Sequence, residues 1–259
     1  MNSSDERPRF DHLLHYVPDV PEAVAAYRAA GLPAHTNEAR DGFQNGGWRL
    51  DARYVEILTV TDRAALPRSR FERGVRLLEP AIEALSGPAG PLTFAVDVVD
   101  AHATAARLRA AGHRVEVVEI ELAEHGISFV EVFVLDGPSW WPFFITCTPS
   151  GEELVAGLPP GAFERGPHDL TGLVVSVPEP EAAARALGEL LGLPAEGTRV
   201  PLPGAAVTFE RAGDDPHTGR EAAGGHGRLS ALSLDGVDSV GGAPFHAVEL
   251  HGLGIRRPA

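Results

Sequence analysis

Residues 10–20 read Phe-Asp-His-Leu-Leu-His-Tyr-Val-Pro-Asp-Val, and residues 171–181 read Thr-Gly-Leu-Val-Val-Ser-Val-Pro-Glu-Pro-Glu. Each is an apolar strand closed by Val-Pro-acid and followed by a helix that opens with Pro-Glu. A third copy, Leu-Thr-Phe-Ala-Val-Asp-Val-Val-Asp at 92–100, leads into a helix ending Arg-Ala-Ala-Gly112, as the first helix ends Arg-Ala-Ala-Gly31. Self-similarity of this kind marks one supersecondary unit used several times. Aligning Gly31 with Gly112 gives an offset of 81 residues (112 − 31), which sets Thr93 opposite His12; the third copy has Gly172 near that place. The scaffold is repeated and the histidine is not.

Outward from these stretches, hydrophobic period and turn residues predict the rest. Unit one has a strand at 12–18, a helix at 21–31 and strands at 44–50 and 53–60. A connector at 62–90 carries a helix-like stretch near 73–85 and a Gly-Pro-Ala-Gly-Pro break. Unit two has a strand at 92–98, a helix at 101–111 and strands near 113–120, 127–135 and 140–147. After a second, Gly- and Pro-rich connector, unit three runs from a strand at 171–177 through a helix at 180–192 to strands near 197–202 and 205–211. Asp214–Gly227 reads as a long mobile loop, and strands at 229–235 and 244–251 form a fourth unit without its helix.

Composition excludes several roles. The chain has 259 residues, 44% hydrophobic and 22% charged, which suits a folded globular protein rather than a disordered one. No apolar run reaches the roughly 20 residues that cross a bilayer, and the N-terminus lacks a signal peptide's apolar core. One cysteine, Cys147, permits no internal disulfide. These features predict a cytoplasmic protein of bacterial style. All 22 basic residues are arginine, so no lysine is present for Schiff-base chemistry. A formal charge of −14 argues against nucleic-acid binding and is compatible with a neutral or cationic small molecule.

Strand–helix–strand–strand(–strand) units in tandem resemble the vicinal oxygen chelate (VOC) superfamily of glyoxalase I, extradiol dioxygenases and bleomycin-resistance proteins, and within it the glyoxalase-like domain proteins. The residues that carry the likeness are Asp11-His12-Leu13 through Val17-Pro18-Asp19, Tyr54-Val55-Glu56-Ile57-Leu58, and Pro142-Phe143-Phe144-Ile145. It covers 10–148 well and 168–250 loosely. The resemblance implies an α+β fold of tandem βαβββ units forming cup-shaped, open mixed-sheet barrels, the last unit degenerate. It gives an N-terminal glyoxalase-like domain at 1–150 and a degenerate C-terminal one at 151–259. How the units pair is left open, as is a monomer or homodimer.

In that superfamily the cup holds a divalent metal on ligands from the first and last strands of each unit. Carried over, unit one supplies His12 and Glu56, with Fe, Mn, Ni or Zn as the metal. Unit two departs from the pattern, offering Thr93 and a last strand with Pro142 near the place of Glu56. A third ligand would then come from elsewhere, such as Glu131, His246 or Glu249. A metal-free site, with His12 and Glu56 as a general acid/base pair, is the rival reading. A protein that only sequesters its ligand is the second.

Alternation predicts that His12, Leu14 and Tyr16 share one face, with His15 on the other, and that Tyr54, Glu56 and Leu58 share a face. Trp48, Trp141 and Phe143 suggest a flat, partly aromatic ligand. Asn45 and Gln44, in Gly-Phe-Gln-Asn-Gly-Gly, are the candidate hydrogen-bonding groups, and Thr93 joins them in the substrate-binding set. His217 and His226 flank the glycine-rich loop. The expected function is an enzyme of lyase, isomerase or oxygenase type acting on a small metabolite, in the style of secondary metabolism; the alternative is a drug-sequestering binder.

Overall fold

The computed structural model describes residues 6–162, 164–212, 227–236, 239–240, 243–244 and 248–258. The predicted mobile loop, except Gly227, and His217, His226 and His246 lie outside the described residues.

Unit one comprises β1 (Arg9–Tyr16), α1 (Val20–Ala29), β2 (Ala34–Thr36), β3 (Phe43–Arg49) and β4 (Tyr54–Val60). The Val-Pro-acid turn is a helix cap: Asp19 accepts the amide of Glu22 at 2.8 Å, Pro21 needs no amide partner in the first turn, and Gly31 ends the helix at φ +82°. A connector helix α2 (Glu72–Glu83) leads to unit two: β5 (Gly90–Asp97), α3 (Ala101–Ala110), β6 (Val115–Leu122), β7 (Ile127–Val134) and β8 (Phe143–Thr148). Asp100 caps α3 as Asp19 caps α1. The expected strand at 140–147 begins only at Phe143, because Ser139 and Trp140 form a turn before Pro142.

Units one and two share one open, mixed eight-stranded sheet in the order β2-β3-β4-β1-β5-β8-β7-β6. β1 pairs parallel with β4, β5 parallel with β8, and β1 meets β5 antiparallel at the centre. The two halves are thus related by a pseudo-twofold axis between β1 and β5. This register corrects the strand alignment: Glu56 pairs with Leu14 as Phe143 pairs with Ala95, so Phe143, not Pro142, holds the place of Glu56.

A capping-box helix α4 (Gly151–Ala156) leads to the second open sheet. It contains β9 (Asp169–Val177), followed by α5 (Pro180–Leu191), then β10 (Arg199–Val200), β11 (Ala206–Arg211), β12 (Arg228–Asp235), β15 (Val248–Leu250) and β16 (Leu253–Arg256), in the order β10-β11-β9-β12-β16-β15. β13 (Ser239–Val240) and β14 (Ala243–Pro244) form a separate ribbon.

One apolar core joins both sheets. Leu13, Trp48 and Phe94 of the first sheet pack with Tyr27 of α1, Leu108 of α3, Leu187 of α5 and Leu173, Val207 and Leu232 of the second sheet. Polar ties cross the same seam. Arg53 donates to the carbonyls of Leu170 (2.9 Å) and Gly204 (2.7 Å) and pairs with Asp169. Arg107 pairs with Glu6 and donates to Leu190 O. Arg53 is therefore an anchor between sheets.

His15 lies on the core face, as alternation predicts. Its Nε2 is 3.0 Å from His251 O and its Nδ1 2.8 Å from Tyr27 Oη, so Nε2 donates to the carbonyl and Nδ1 accepts from the phenol. Burial holds the imidazole neutral and pushes its pKa down to about 4. The unfolded chain then takes up this proton first: stability is intact above the ordinary value of 6.5 and falls as pH drops toward 4. The expected loss is about 3 kcal/mol over that window. Between pH 6.5 and 4 the urea midpoint of the natural protein should fall relative to that of His15→Gln, which lacks this titration.

Candidate functional site

The opposite face of the first sheet carries a second apolar cluster of Leu14, Phe43, Leu58, Ala95, Phe133, Phe143 and Ile145, covered by Val75, Leu78 and Ala81 of α2. Polar side chains converge in its midst. His12 (3% exposed) stacks on Tyr54 at 4.5 Å between centroids and meets Phe143 edge-on at 5.6 Å. Its Nδ1 is 2.5 Å from Asp11 Oδ1 and its Nε2 is 3.7 Å from Glu56 Oε2. Asn45 donates to Glu56 Oε1 at 2.7 Å and accepts from Asn37 at 2.9 Å. Asp11, His12, Glu56 and Asn45 thus form a line of polar groups through an apolar wall.

Asp11 reaches its neighbour because of a register break. Phe10 pairs with Val96 and His12 with Ala95, which leaves Asp11 as an extra residue in the β1–β5 ladder. A bulge of this kind interrupts strict alternation and re-aims side chains. The carboxylate fixes the imidazole with its proton on Nδ1 and leaves Nε2 facing Glu56. Burial alone would lower the His12 pKa; the hydrogen bond and charge of Asp11, then the charge of Glu56, outweigh it and raise it.

Glu131 enters from β7. It pairs with Ile145 as Asn45 pairs with Leu58, so the two residues hold corresponding places in the two halves. A Cβ on Gly74 of α2 would come within 3.3 Å of Glu131 Oε2, so the helix touches the carboxyl directly. Burial raises the Glu131 pKa to about 8, with Glu56 adding to the rise and His12 opposing it. At neutral pH the group is an acid with its proton on.

The other predicted site residues divide by strand face. Thr93, Trp141 and Phe143 line one cavity of about 110 Å³ under α2. Thr93 Oγ1 donates to Trp141 O at 2.6 Å, and among the described residues the Trp141 indole N–H has no hydrogen-bond partner. Trp48 is fully buried in the core on the far face, donating to Arg165 O at 3.3 Å; it is a packing residue and not a substrate contact. Gln44 shares Trp48's parity and donates to Asn37 O, outside the His12 cluster. Arg49 lies over the Tyr54 ring at 4.6 Å. Sequence reasoning missed Asp11 as a partner of His12. It named Glu131 only as a possible metal ligand, although a lone carboxylate inside the apolar run Ile127–Val134 is itself a signal.

The residues fit a divalent metal poorly. The places corresponding to His12 and Glu56 in unit two are held by Thr93 and Phe143, and neither completes a ligand set. Among the described residues no group of three or more His, Cys, Asp or Glu side chains is arranged to hold a metal ion. Glu249 sits on β15 of the second sheet, away from His12. In that sheet the place of His12 falls at Gly172, where a Cβ would lie 2.9 Å from Ala206 O, so no side chain fits. Among the described residues no helix is long and apolar enough to cross a membrane.

One family model, described as a glyoxalase-like domain, matches residues 10–191. A hypothetical protein from Staphylococcus aureus is 13% identical, with 95% of this chain and 97% of that one aligned at a TM-score of 0.72. A mutant of 4-hydroxymandelate synthase from Streptomyces coelicolor is also 13% identical, over 88% of this chain and 71% of its own, at 0.55. A methylmalonyl-CoA epimerase from Streptomyces coelicolor is 19% identical over 53% of this chain and 96% of its own, at 0.36. At such identities the first two likenesses are of fold alone. A search of curated proteins finds no match.

Proposed function

Because the chain belongs to the glyoxalase-like domain family of the VOC superfamily, we propose that it is an enzyme that moves a proton on a small, partly aromatic metabolite at the His12–Glu56 face. The observation that carries this reading is the Asp11–His12–Glu56–Asn45 line, in which a buried His12 is flanked by half-buried partners among apolar walls. A histidine oriented by a carboxylate is suited to proton transfer near neutral pH, since its tautomer is fixed and its basicity raised. Nε2 takes a proton from the ligand as base, or returns it as acid. Asn45 holds Glu56 so that its other oxygen stays turned toward Nε2. Phe143, Tyr54 and Phe133 exclude water and offer flat surface to an aromatic portion of the ligand.

Such chemistry is readable without knowing the product. Incubation in heavy water with a panel of small aromatic carbonyl compounds should bring deuterium into the ligand at the carbon next to the carbonyl, detected by mass spectrometry. Exchange should persist after dialysis against EDTA. Activity restored only by an added divalent metal would sink the acid/base version. Tight, stoichiometric capture with no exchange in any compound, retained in His12→Ala, would make the protein a binder instead. The domains at 1–150 and 151–259 would then divide the work: the first sheet carries the reacting groups and the second supports it from behind.

A further inference from the structure

The cavity lined by Phe143, whose ring His12 meets edge-on, is too small for the ligand its walls suit. It holds about 110 Å³, whereas sites for small molecules run to about 300–1,000 Å³. Its roof is α2, through Leu77, Leu78, Pro80 and Ala81. On the other side of the same helix end lies a groove of about 620 Å³, bordered by Ala84, Leu85, Gly87, Arg228 and Ile255. The two spaces share two wall residues, Ala81 and Ser139. Ala81 is buried in the roof, and Ser139 is exposed at the rim.

The wall between them carries a break in its helix. Pro80 inside α2 has no N–H to give and breaks the helical ladder one turn from its end. The helix runs into Gly87-Pro88-Ala89-Gly90-Pro91, with Gly90 at φ +158°. Toward its outer side α2 and its flanks are held by Arg63–Glu79, Arg70–Glu124 and Arg73–Glu116, pairs at the surface that contribute little. The far face of the sheet, by contrast, is backed by the continuous core shared with the second sheet.

We propose that the groove is the vestibule of the His12 site and that the C-terminal half of α2 is its gate: a ligand enters beside Ser139 and reaches His12 when this half-helix lifts. The inference rests on reading His12 as the reacting group. Trp141 lines the inner cavity, and its buried indole N–H has no hydrogen-bond partner among the described residues.

Diethyl pyrocarbonate tests the gate on the protein as it stands, because it modifies neutral imidazoles that solvent can reach. His12 and His15 lie on the same strand, 3% and 0% exposed, so His15 reports global opening and His12 reports lifting of α2. Carbethoxylation of His12, mapped by mass spectrometry, should run at least about tenfold faster than that of His15. Equal rates would overturn the gate. Ser139→Trp, at an exposed position, should slow His12 by about tenfold and leave His15 unchanged; an unchanged His12 rate would remove the groove as the route. These rates read access and not turnover. An opening gate on a protein without exchange activity would refute the proposed function alone, and exchange through a closed gate would refute this inference alone.

Discussion

His12→Ala is expected to slow deuterium exchange into a responsive ligand by about 10²–10⁴-fold, the usual share of a positioned acid/base group. His12→Gln should do the same with less disturbance to packing, and urea midpoints for both variants check that the fold survives. The informative readout is the pH profile of the neighbours. If His12 acts as base, the rate rises with pH through its raised pKa. Asp11→Asn removes the stronger supporting interaction, at 2.5 Å, and should move that limb toward lower pH. Glu56→Gln removes a charge at 3.7 Å and should move it in the same direction by less. Glu131→Gln should leave the neutral region of the profile nearly unmoved, because that carboxyl is already protonated there. A limb that ignores Asp11 would mean that a group other than His12 sets the rate.

Much of this arrangement is legible in the chain because it depends on short-range rules. The Val-Pro-acid turns cap helices where the repeat places them, and alternation brings His12, Asn45 and Glu56 to one face of one sheet. The failures come where a single residue shifts the register. The bulge at Asp11 turns a residue expected on the far face toward His12, and nothing in the local sequence marks it. The turn before β8 takes Trp140 and Trp141 off the strand and moves the counterpart of Glu56 from Pro142 to Phe143. The same parity rule that admits Asn45 removes Gln44 and Trp48, which had been grouped with it by composition. The stripe of Val75, Leu78 and Ala81 marks α2 as an amphipathic helix, but where a connector that long comes to rest is decided by tertiary packing.

Glu131→Gln is expected to make the protein more stable, and increasingly so as the pH rises. In the unfolded chain this carboxyl ionises near its ordinary 4.5; in the fold it holds its proton to about 8. Between those values the folded state carries a proton the unfolded state has released, so stability falls as pH rises through the window and levels off above it. The full cost is about 3–5 kcal/mol, a large fraction of a typical domain's stability. From pH 5 to 9 the urea midpoint of the natural protein should fall relative to that of Glu131→Gln, His15 acting equally in both; parallel curves would show that the carboxyl is not held neutral. Glutamine keeps the shape and loses only the ionisation, so the difference isolates the charge. The seat over Glu131 is made by Gly74, itself less favourable in a helix interior than alanine by about 0.5–1 kcal/mol. Two adjacent residues that each lower stability, one with its acidic end beside His12, are what a chain retains when activity and stability pull in opposite directions. Stability gained by Glu131→Gln together with exchange activity lost would tie that carboxyl to the chemistry, while stability gained at no loss of exchange would leave it a mere flaw in the core.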